Sequence, residues 1–544
     1  MKNKILLIAI ILLAAFLRLW ALSSYPIGLN ADEAALGYNA YSLLTTGKDE
    51  HGHPWPVNLE SFGDFKPALY AYILIPFVKV LGLTEFAVRL PSAIFGIVSV
   101  ALIYFLVREI YQKNSLALMS ALILAVNPWA LHFSRGAWET NLATCLMILG
   151  VWSFIRWKNT QKSNLLFLSI FSLALSLYSY QSARVIAPLL GLGLVVLNFR
   201  KLLSLPKKTL ISLIIFTVLV LTPLVVSIVS SDAASRFSGV GLLADEGPLN
   251  RVKEFRGQHP DPSGFLPKFL HNRPVIYTIQ FMNNYLSHFS GDFLFVNGDA
   301  IERNRVPETG LFYLFDFLFL IPGAIYIARN RNSNTKIIWL WIVIAPVASA
   351  LTFQSPHALR SFNLVVPLTI IVAAGYCWTL DIVGQIKNRF LRFIPYALFI
   401  ALFFWQGARY LHQYYVHYPQ TYPAAWEYGF KELVSYVTSV EDKYDRILIT
   451  DKYDQPYILF LFYQKYPPQL FQNNHELSFR DKFNFSTVRD YSKYHFSSTP
   501  WEKVRDIHSA LIVAAPDDIP AVGVNVIKTI NFPNGQPAFK IISN

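Results

Sequence analysis

Long runs of apolar residues recur along this chain and alternate with short polar stretches. Eleven of these runs have 15 to 21 residues, close to the length that crosses the hydrocarbon core of a bilayer as a helix. We predict spanning helices near 5–22, 90–107, 115–131, 140–155, 164–180, 185–199, 209–229, 311–328, 337–353, 361–380 and 393–407. The pattern therefore predicts an all-α polytopic membrane protein with about 11 transmembrane helices.

One further apolar run, residues 67–83, is short and contains Pro76 and Lys79. If it spanned the bilayer, every later connection would change sides, and four loops rich in lysine and arginine would face outward. Such loops stay on the cytoplasmic side of membrane proteins. We therefore predict that 67–83 lies in or dips into the outer leaflet as an interfacial segment.

The composition and charge agree with this topology. Hydrophobic residues make up 53% of the chain and charged residues 15%, whereas soluble domains carry about 25% charged residues. The net charge is +13, but the connections assigned to the cytoplasm hold 17 lysines and arginines against 2 acids. The basic charge is therefore the positive-inside signature, with a cytoplasmic N-terminus, and it predicts no nucleic-acid partner.

The same topology places the C-terminal tail outside the cytoplasm. Residues 446–450 and 510–515 are apolar at strand length, and 455–466 reads as a short helix. Residues 533–537, "PNGQP", carry an Asn-Gly hairpin signal. We therefore predict a small extracytoplasmic α/β domain over 411–544. The remainder, 1–410, is predicted to be a transmembrane domain with long outer loops at 23–89 and 230–310.

Charged and aromatic residues collect at the predicted outer ends of the helices. The adjacent acids Asp32 and Glu33 follow the first span directly, where an unused charge is costly. The same face also holds the acids Asp49, Glu50, Glu60, Asp64 and Glu139, the cations Lys66, Arg135, Arg184 and Arg360, and the histidines His51, His53 and His357. Cations bind phosphate, and a carboxylate can deprotonate a hydroxyl. The set predicts an enzyme that acts on an anionic, sugar-like substrate carried by a lipid.

The order of these motifs resembles a known superfamily. The acidic pair is followed by "SFGDFKPALYAYILIP", "FAVRLPSAIFGIVSV" and "SRGAWETN", as in the C-type glycosyltransferases. More narrowly, the order resembles bacterial relatives of the protein O-mannosyltransferases and of the aminoarabinose transferases. The resemblance covers roughly residues 1–200, is looser over 201–410, where "SPHALRSFNLVVPL" is suggestive, and is weakest in the tail. It implies C-type architecture and an inverting enzyme that uses a polyprenyl-phosphate-linked sugar.

The resemblance also implies roles for individual residues. The family places a catalytic acid just after the first helix, so Asp32 would be the general base, with Glu33 beside it as a second catalytic residue. A lysine before a proline-rich stretch contacts the donor phosphate in the family. Lys66 in "DFKPALY" matches this lysine, although Ala68 replaces the second proline.

The remaining site residues come from later outer loops. Arg135 and Glu139 match an arginine and a second acid, although the family often has aspartate at the position of Glu139. His357 or Arg360 would supply a basic residue near the outer end of a late helix. We expect Arg135 and Arg360 to bind the donor phosphate with the lysine, and Glu139, His357 and Arg184 to line the substrate pocket.

No metal site and no required cofactor are predicted, and a divalent metal, although compatible with the chemistry, is not indicated. The expected partners are the lipid bilayer, a polyprenyl-phosphate-linked sugar donor, and a protein, lipid or glycan acceptor. The predicted function is transfer of the sugar to an acceptor hydroxyl at the outer face of the membrane.

Other interpretations stay open. The acidic pair could be first-turn residues of a helix, favoured by its dipole, and Lys66 and Arg135 could be interfacial cations. A transporter or flippase for a lipid-linked sugar would instead concentrate ionisable residues within the spans. A ligase that uses a diphosphate-linked glycan, and a scaffold without catalytic activity, are further alternatives.

Overall fold

The computed structural model describes residues 2–230, 241–330, 332, 334–479, 486–520 and 523–543, without the side chain of residue 230. Its α-helices are Lys2–Leu19, Ala31–Thr46, Leu69–Leu81, Glu85–Tyr111, Asn114–Val126, Pro128–Arg135, Glu139–Thr160, Asn164–Leu177, Ala183–Leu197, Phe199–Leu203, Lys207–Ser230, Gly247–Gly257, Phe265–Leu270, Arg273–Ser287, Phe317–Arg329, Thr335–Ile344, Val347–Ala350, Val365–Gly384, Arg389–His412, Tyr418–Thr421, Phe430–Val440, Pro456–Gln464, Pro468–Asn473 and Trp501–Val504. Its strands are β1 Asn58–Ser61, β2 Asp64–Pro67, β3 Arg446–Ile449, β4 His475–Leu477, β5 Val488–Tyr491, β6 Tyr494–Phe496, β7 Ala510–Ala514, β8 Val526–Asn531 and β9 Pro537–Ser543.

Every predicted span overlaps a helix. Within the described residues, four helices are long and apolar enough to cross a membrane: Glu85–Tyr111, Lys207–Val229, Phe362–Gly384 and Arg389–Thr421. A fifth candidate is a pair of helices, Asn114–Val126 and Pro128–Arg135, which bend by 54° at their junction. The chain is therefore a multi-pass membrane protein. The total of eleven spans, the sidedness of the loops and the interfacial position of helix Leu69–Leu81 stay predictions.

The chain forms two compact units that are interleaved along the sequence. Unit 1 consists of Met1–Ile11, Val98–Ala130 and Ala143–Gln406. Unit 2 consists of Leu12–Ile97, Leu131–Leu142 and Gly407–Asn544. The division into domains 1–410 and 411–544 stays a prediction. The compact unit that contains the tail also includes residues 12–97 and 131–142.

Two glycines allow a close helix crossing in unit 1. A Cβ atom on Gly323 would lie 1.8 Å from the carbonyl oxygen of Ile371, and one on Gly375 would lie 2.0 Å from the carbonyl oxygen of Phe319. Small residues let helix backbones approach each other closely in membranes. Helices Phe317–Arg329 and Val365–Gly384 therefore pack with almost no space for side chains at these positions.

Replacement of Gly375 by alanine should destabilise the protein by about 1–3 kcal/mol, because the added methyl group forces the two backbones apart. The midpoint of unfolding by sodium dodecyl sulfate in mixed micelles measures this effect. Gly407→Ala is the matched control, since a Cβ atom there meets nothing within 4 Å. Equal midpoints for the two variants would show that the crossing tolerates the extra atom.

Within its described residues, unit 2 contains a mixed seven-stranded sheet of order β4-β5-β6-β3-β7-β9-β8. β3 runs parallel to β6 and β7, and the β8–β9 hairpin is antiparallel to the edge of this core. The predicted strands at 446–450 and 510–515, the helix at 455–466 and the hairpin at the Asn-Gly turn are all confirmed. Gly535 in that turn has a φ of +83°, which glycine adopts without strain.

Helix Ala31–Thr46, which carries the acidic pair, packs on helix Pro456–Gln464 within unit 2. A Cβ atom on Gly37 would lie 2.7 Å from the ring of Phe462, and the Tyr38 hydroxyl donates to the carbonyl oxygen of Tyr466 at 3.0 Å. The tail therefore shares a core with the acid-bearing helix and fixes its position.

Candidate active site

The acidic pair lies in the first turn of helix Ala31–Thr46. Asn30 caps this helix, and its side-chain oxygen accepts a hydrogen bond from the amide of Glu33 at 3.0 Å. Successive helical residues point in different directions, so the two acids enter different surroundings. The Asp32 side chain is 33% exposed, whereas Glu33 is completely buried.

Glu33 forms a buried ion pair with Arg89. The Arg89 guanidinium donates from Nε to Oε1 at 3.0 Å and from Nη2 to Oε2 at 2.9 Å, and both side chains have no exposed surface. The amide of Ala137 donates a third hydrogen bond to Glu33 Oε1 at 2.8 Å. Such a bidentate contact fixes both the distance and the relative orientation of the guanidinium and the carboxylate. The Glu33 carboxylate is therefore held rigidly.

Arg89 also holds the chain that leads from the first helix to the acidic pair. Its guanidinium donates to the carbonyl oxygens of Leu22 at 3.3 Å and Pro26 at 2.9 Å, and to that of Gly28. The pattern of residues along the chain predicts no role for Arg89. Its one signal was an isolated arginine near the start of an apolar helix, in "FAVRLPSAIFG".

Lys66 reaches Asp32 from a short hairpin. Strands β1 and β2 pair antiparallel through a turn at Phe62 and Gly63, whose φ values are +60° and +67°. The ammonium of Lys66 forms an ion pair with Asp32 Oδ1 and lies 4.2 Å from the centre of the Phe62 ring. The fold thus joins a cation and a partly exposed carboxylate that are far apart in the sequence.

Arg135 binds the end of the first helix. Its guanidinium donates to the carbonyl oxygens of Leu17 at 2.8 Å, Trp20 at 2.7 Å and Tyr25 at 3.2 Å, and to the hydroxyl of Tyr414 at 3.3 Å. An arginine at this position satisfies carbonyl groups that a helix leaves unpaired at its C-terminus. The side chain is buried, so this geometry gives no support to the predicted role of Arg135 in binding phosphate.

Glu139 is the first residue of helix Glu139–Thr160 and is buried. The short segment between Arg135 and Glu139 is tied to the acidic pair through the Ala137 amide. Unit 2 therefore brings Asp32, Glu33 and Lys66 together, and it anchors the segment that carries the other two predicted residues to the same helix end.

The predicted residues His357 and Arg360 lie in unit 1, beside a buried acid. Asp299 Oδ2 accepts the Ala358 amide at 2.6 Å and lies 3.5 Å from His357 Nδ1. Burial, together with the charges of Arg360 and Arg303, holds the pKa of His357 well below its usual range, so its imidazole is neutral. Burial also raises the pKa of Asp299, although backbone amides that donate to its carboxylate oppose this effect.

Arg360 and Arg184 each contact backbone or side-chain oxygens within unit 1. Arg360 Nη1 donates to the hydroxyl of Thr352 at 2.7 Å. Arg184 donates to the carbonyl oxygen of Leu177 at 3.2 Å and to Gln181 Oε1 at 3.0 Å, at the end of the preceding helix. The roles expected for these arginines in binding phosphate and lining the pocket stay predictions.

The loop that follows the acid-bearing helix contains two histidines with different surroundings. His51 Nδ1 lies 3.1 Å from His475 Nε2 on β4, and its Nε2 lies 3.5 Å from Glu50 Oε1. His53 Nδ1 lies 3.1 Å from Asp49 Oδ2, and its side chain is 50% exposed. In the described part of the chain, no group of three or more metal-ligating side chains is arranged to hold a metal ion.

Burial would lower the pKa of His51, but its hydrogen bond to Glu50 and the charges of Glu50, Glu60 and Asp49 outweigh burial and raise the pKa above 6.5. Protonated His51 therefore stabilises the fold. This contribution is complete below the ordinary histidine pKa and is lost as the pH rises through the raised value in the folded protein. We expect His51→Gln to lower the unfolding midpoint at about pH 5.5 and much less at about pH 9.

The comparison of the two pH values is itself the control. The packing lost with the imidazole in His51→Gln is the same at both values, so the change in the difference isolates the charge of His51. A difference for His51→Gln that is the same at both pH values would contradict the prediction.

Three features agree with the resemblance noted in the sequence. The chain has several membrane-spanning helices, an acidic pair at a capped helix start after the first helix, and a lysine that reaches one of these acids. The fold is similar to that of solved C-type membrane glycosyltransferases, and the resemblance is confirmed.

Comparisons with known proteins specify this likeness. Residues 65–225, just under a third of the chain, match the family model described as dolichyl-phosphate-mannose-protein mannosyltransferase. No curated protein sequence matches the chain significantly.

Among solved structures, ArnT from Cupriavidus metallidurans in the apo state is similar with a TM-score of 0.54 and 11% identity, over 99% of this chain and 97% of that protein. The structure of the same ArnT bound to undecaprenyl phosphate has a TM-score of 0.51 and 11% sequence identity. The archaeal oligosaccharyltransferase AglB from Archaeoglobus fulgidus, in complex with an inhibitory peptide and a dolichol-phosphate, gives 0.51 at 13% identity. This last match covers 85% of this chain and 63% of AglB.

Proposed function

We propose that this protein is an inverting membrane glycosyltransferase. It takes a sugar from a polyprenyl-phosphate-linked donor and transfers it to an acceptor hydroxyl at the outer face of the membrane. The observation that carries the proposal is the ion pair between the partly exposed Asp32 carboxylate and the Lys66 ammonium. The family-model match over 65–225 and the ArnT structure with undecaprenyl phosphate support a donor of this class.

In the proposed reaction Asp32 takes the proton of the acceptor hydroxyl, because an alcohol is too weak an acid to react unaided. The acceptor oxygen attacks the anomeric carbon, and the bond between that carbon and the phosphate oxygen breaks. The electron pair leaves with the polyprenyl phosphate, and Lys66 stabilises the negative charge that develops there. A single displacement of this kind inverts the anomeric centre.

Lys66 has two partners in this scheme. In the structure it pairs with Asp32, and a bound phosphate would supply a second anion for the same ammonium. The Phe62 ring beside it, 4.2 Å from Nζ, restricts the ammonium to this side of the hairpin and contributes a cation–π contact. We therefore propose Lys66 as the phosphate ligand of unit 2.

Glu33 is proposed to position Asp32 and to take no part in proton transfer. Both of its oxygens accept hydrogen bonds from Arg89, and one also accepts from Ala137, in a fully buried site. A carboxylate without exposed surface cannot meet an acceptor hydroxyl. It fixes the first turn of the helix on which Asp32 stands.

The function can be tested with purified protein in lipid nanodiscs. We would supply a panel of polyprenyl-phosphate sugars with a crude membrane extract as the acceptor and follow free carrier phosphate by mass spectrometry. Release that depends on the extract, with a product of inverted anomeric configuration, is the expected result.

The same assay separates the alternatives. Release from diphosphate-linked glycans alone would replace the proposal with a ligase, and inhibition by a chelator would then reveal a metal requirement. If no donor releases carrier phosphate but a lipid-linked sugar moves across the bilayer of a proteoliposome, the protein is a transporter.

A further inference from the structure

A cleft of about 670 Å³ lies within unit 2, and neither Asp32 nor Lys66 lines it. One wall is the polar side of helix Phe430–Val440 in the tail. The loop after the first helix also lines the cleft, through Ser23, Ile27 and Gly28, as does Glu85. The cleft is open to solvent along this helix, where Lys431, Ser435 and Ser439 are exposed.

The sequence of helix Phe430–Val440 explains why a polar wall faces the cleft. Lys431, Ser435 and Ser439 recur every fourth residue and line the cleft, so they share one face of the helix. Leu433 and Val437 lie on another face and are buried in the core of the unit. The apolar face thus anchors the helix, and the polar face remains available for a ligand.

The charged groups around the cleft are arranged as pairs. Lys431 Nζ lies 2.7 Å from Glu85 Oε1, and Lys528 Nζ lies 2.9 Å from Glu432 Oε1. Glu427 adds a carboxylate that is nearly buried. Each lysine already has an acidic partner, and the three carboxylates exceed the two lysines by one. The cleft therefore offers many hydrogen-bond donors and acceptors, no free cation from these lysines for an anionic ligand, and at most one excess negative charge. Such a lining suits a ligand that is polar and uncharged.

Three tyrosines complete the lining, Tyr428, Tyr436 and Tyr463. Lys528 Nζ lies 4.7 Å from the centre of the Tyr436 ring, which holds that ring in place. A tyrosine presents an apolar ring and a hydroxyl at the same time. Rings of this kind suit the C–H faces of sugars, whose hydroxyls can then reach the serines and the ion pairs.

The cleft is connected to the proposed catalytic residues by a short piece of chain. The Gly28 carbonyl accepts a hydrogen bond from Arg89, the arginine that holds Glu33. Gly28 and Asp32 are four residues apart, which limits their separation to about 14 Å. A Cβ atom on Gly28 would lie 1.8 Å from the carbonyl oxygen of Trp426, so the loop presses directly on the backbone of the tail.

We propose that this cleft binds the carbohydrate part of the acceptor, a neutral polyhydroxylated glycan of one or a few sugar rings. The assignment of this glycan as the acceptor rests on the proposed function. The binding of carbohydrate does not, because it follows from the paired charges, the tyrosines and the serine face of the helix.

The test uses the full-length protein in lipid nanodiscs and two neutral probes, chitobiose and mannobiose. Saturation-transfer NMR reports which disaccharide contacts the protein. Ser435→Trp fills the cleft from an exposed position, whereas Thr438→Trp places the same side chain on the same helix, also exposed, but outside the cleft. We expect a saturation-transfer signal from at least one disaccharide with wild type and with Thr438→Trp. With Ser435→Trp this signal should be about tenfold weaker.

Three results would overturn the carbohydrate site. The first is that wild type gives no saturation-transfer signal with either disaccharide. The second is that wild type and Ser435→Trp give equal signals. The third is that only a neutral serine-rich peptide, and neither disaccharide, gives a signal. Release of carrier phosphate is measured in a separate assay. If a disaccharide binds in the cleft while no donor releases phosphate, the proposed function fails and the carbohydrate site stands. If a donor releases phosphate while no disaccharide binds in the cleft, the carbohydrate site fails and the proposed function stands.

Discussion

Asp32→Asn should reduce sugar transfer by about 10²–10⁴-fold, the contribution typical of a general base. The amide has nearly the same shape as the carboxylate and can still accept a hydrogen bond from Lys66, so the hairpin and the helix start should stay in place. It cannot take a proton from the acceptor. The loss should therefore appear in the chemical step, with the unfolding midpoint close to that of wild type.

Carrier phosphate release measures this effect, and Glu60→Gln is the matched control. Glu60 lies on strand β1 of the same hairpin that carries Lys66, and its side chain is also largely buried. This control should retain transfer within about twofold of wild type, as expected of a substitution outside the reacting groups. Equal release by Asp32→Asn and wild type would assign the base to another residue, and Glu139 would be the next candidate.

Arg89→Met should destabilise the protein by about 3–5 kcal/mol, because it leaves the Glu33 carboxylate buried without its cation. The carbonyl groups of Pro26 and Gly28 also lose a donor. Few single substitutions cost this much stability. We therefore expect low yields of folded protein and an early midpoint of unfolding in mixed micelles of sodium dodecyl sulfate.

The double variant Glu33→Leu/Arg89→Met separates the ion pair from the packing of these side chains. Removal of both charges takes away the unpaired buried carboxylate, so the double variant should be more stable than Arg89→Met alone. It should nevertheless transfer sugar poorly, since the first turn that carries Asp32 loses its anchor. A midpoint for Arg89→Met equal to that of wild type would exclude a stabilising role for the pair.

The local part of the fold could be predicted from the sequence. Each predicted span overlaps a helix, because the length of an apolar run is sufficient to identify a membrane helix. The tail strands β3 and β7 and the β8–β9 hairpin were predicted for a similar reason, since residue pattern and turn chemistry act over a few residues. The order of the seven strands could not be predicted, because it depends on pairings between distant segments.

The candidate site was predicted only in part. Asp32 and Lys66 were chosen from the order of motifs, and the structure places them in contact. The role of Arg135 in binding phosphate stays a prediction. In the structure its guanidinium contacts carbonyl oxygens at the end of the first helix, some 115 residues away. A sequence shows that an arginine is present near an acid and does not show which oxygen atoms surround it.

Arg89 and the division into two units illustrate the same limit. Arg89 and Glu33 are 56 residues apart, and an arginine near the start of an apolar helix is equally typical of a cation that reaches the membrane surface. The predicted boundary at residue 410 follows the end of the last predicted span, and it stays a prediction. Unit 2 combines the tail with residues 12–97 and 131–142, and a pattern read along the chain does not show which distant segments pack together.

The interleaving of unit 2 has a consequence for the synthesis of the protein. Helix Ala31–Thr46 leaves the ribosome early, but the helix against which it packs, Pro456–Gln464, is made about 400 residues later. At the usual rate of translation this delay lasts tens of seconds. During that time the helix with the acidic pair lacks its partner. The proposed catalytic residues therefore reach their final geometry only when the chain is nearly complete, and we expect a chain that ends before the tail to transfer no sugar.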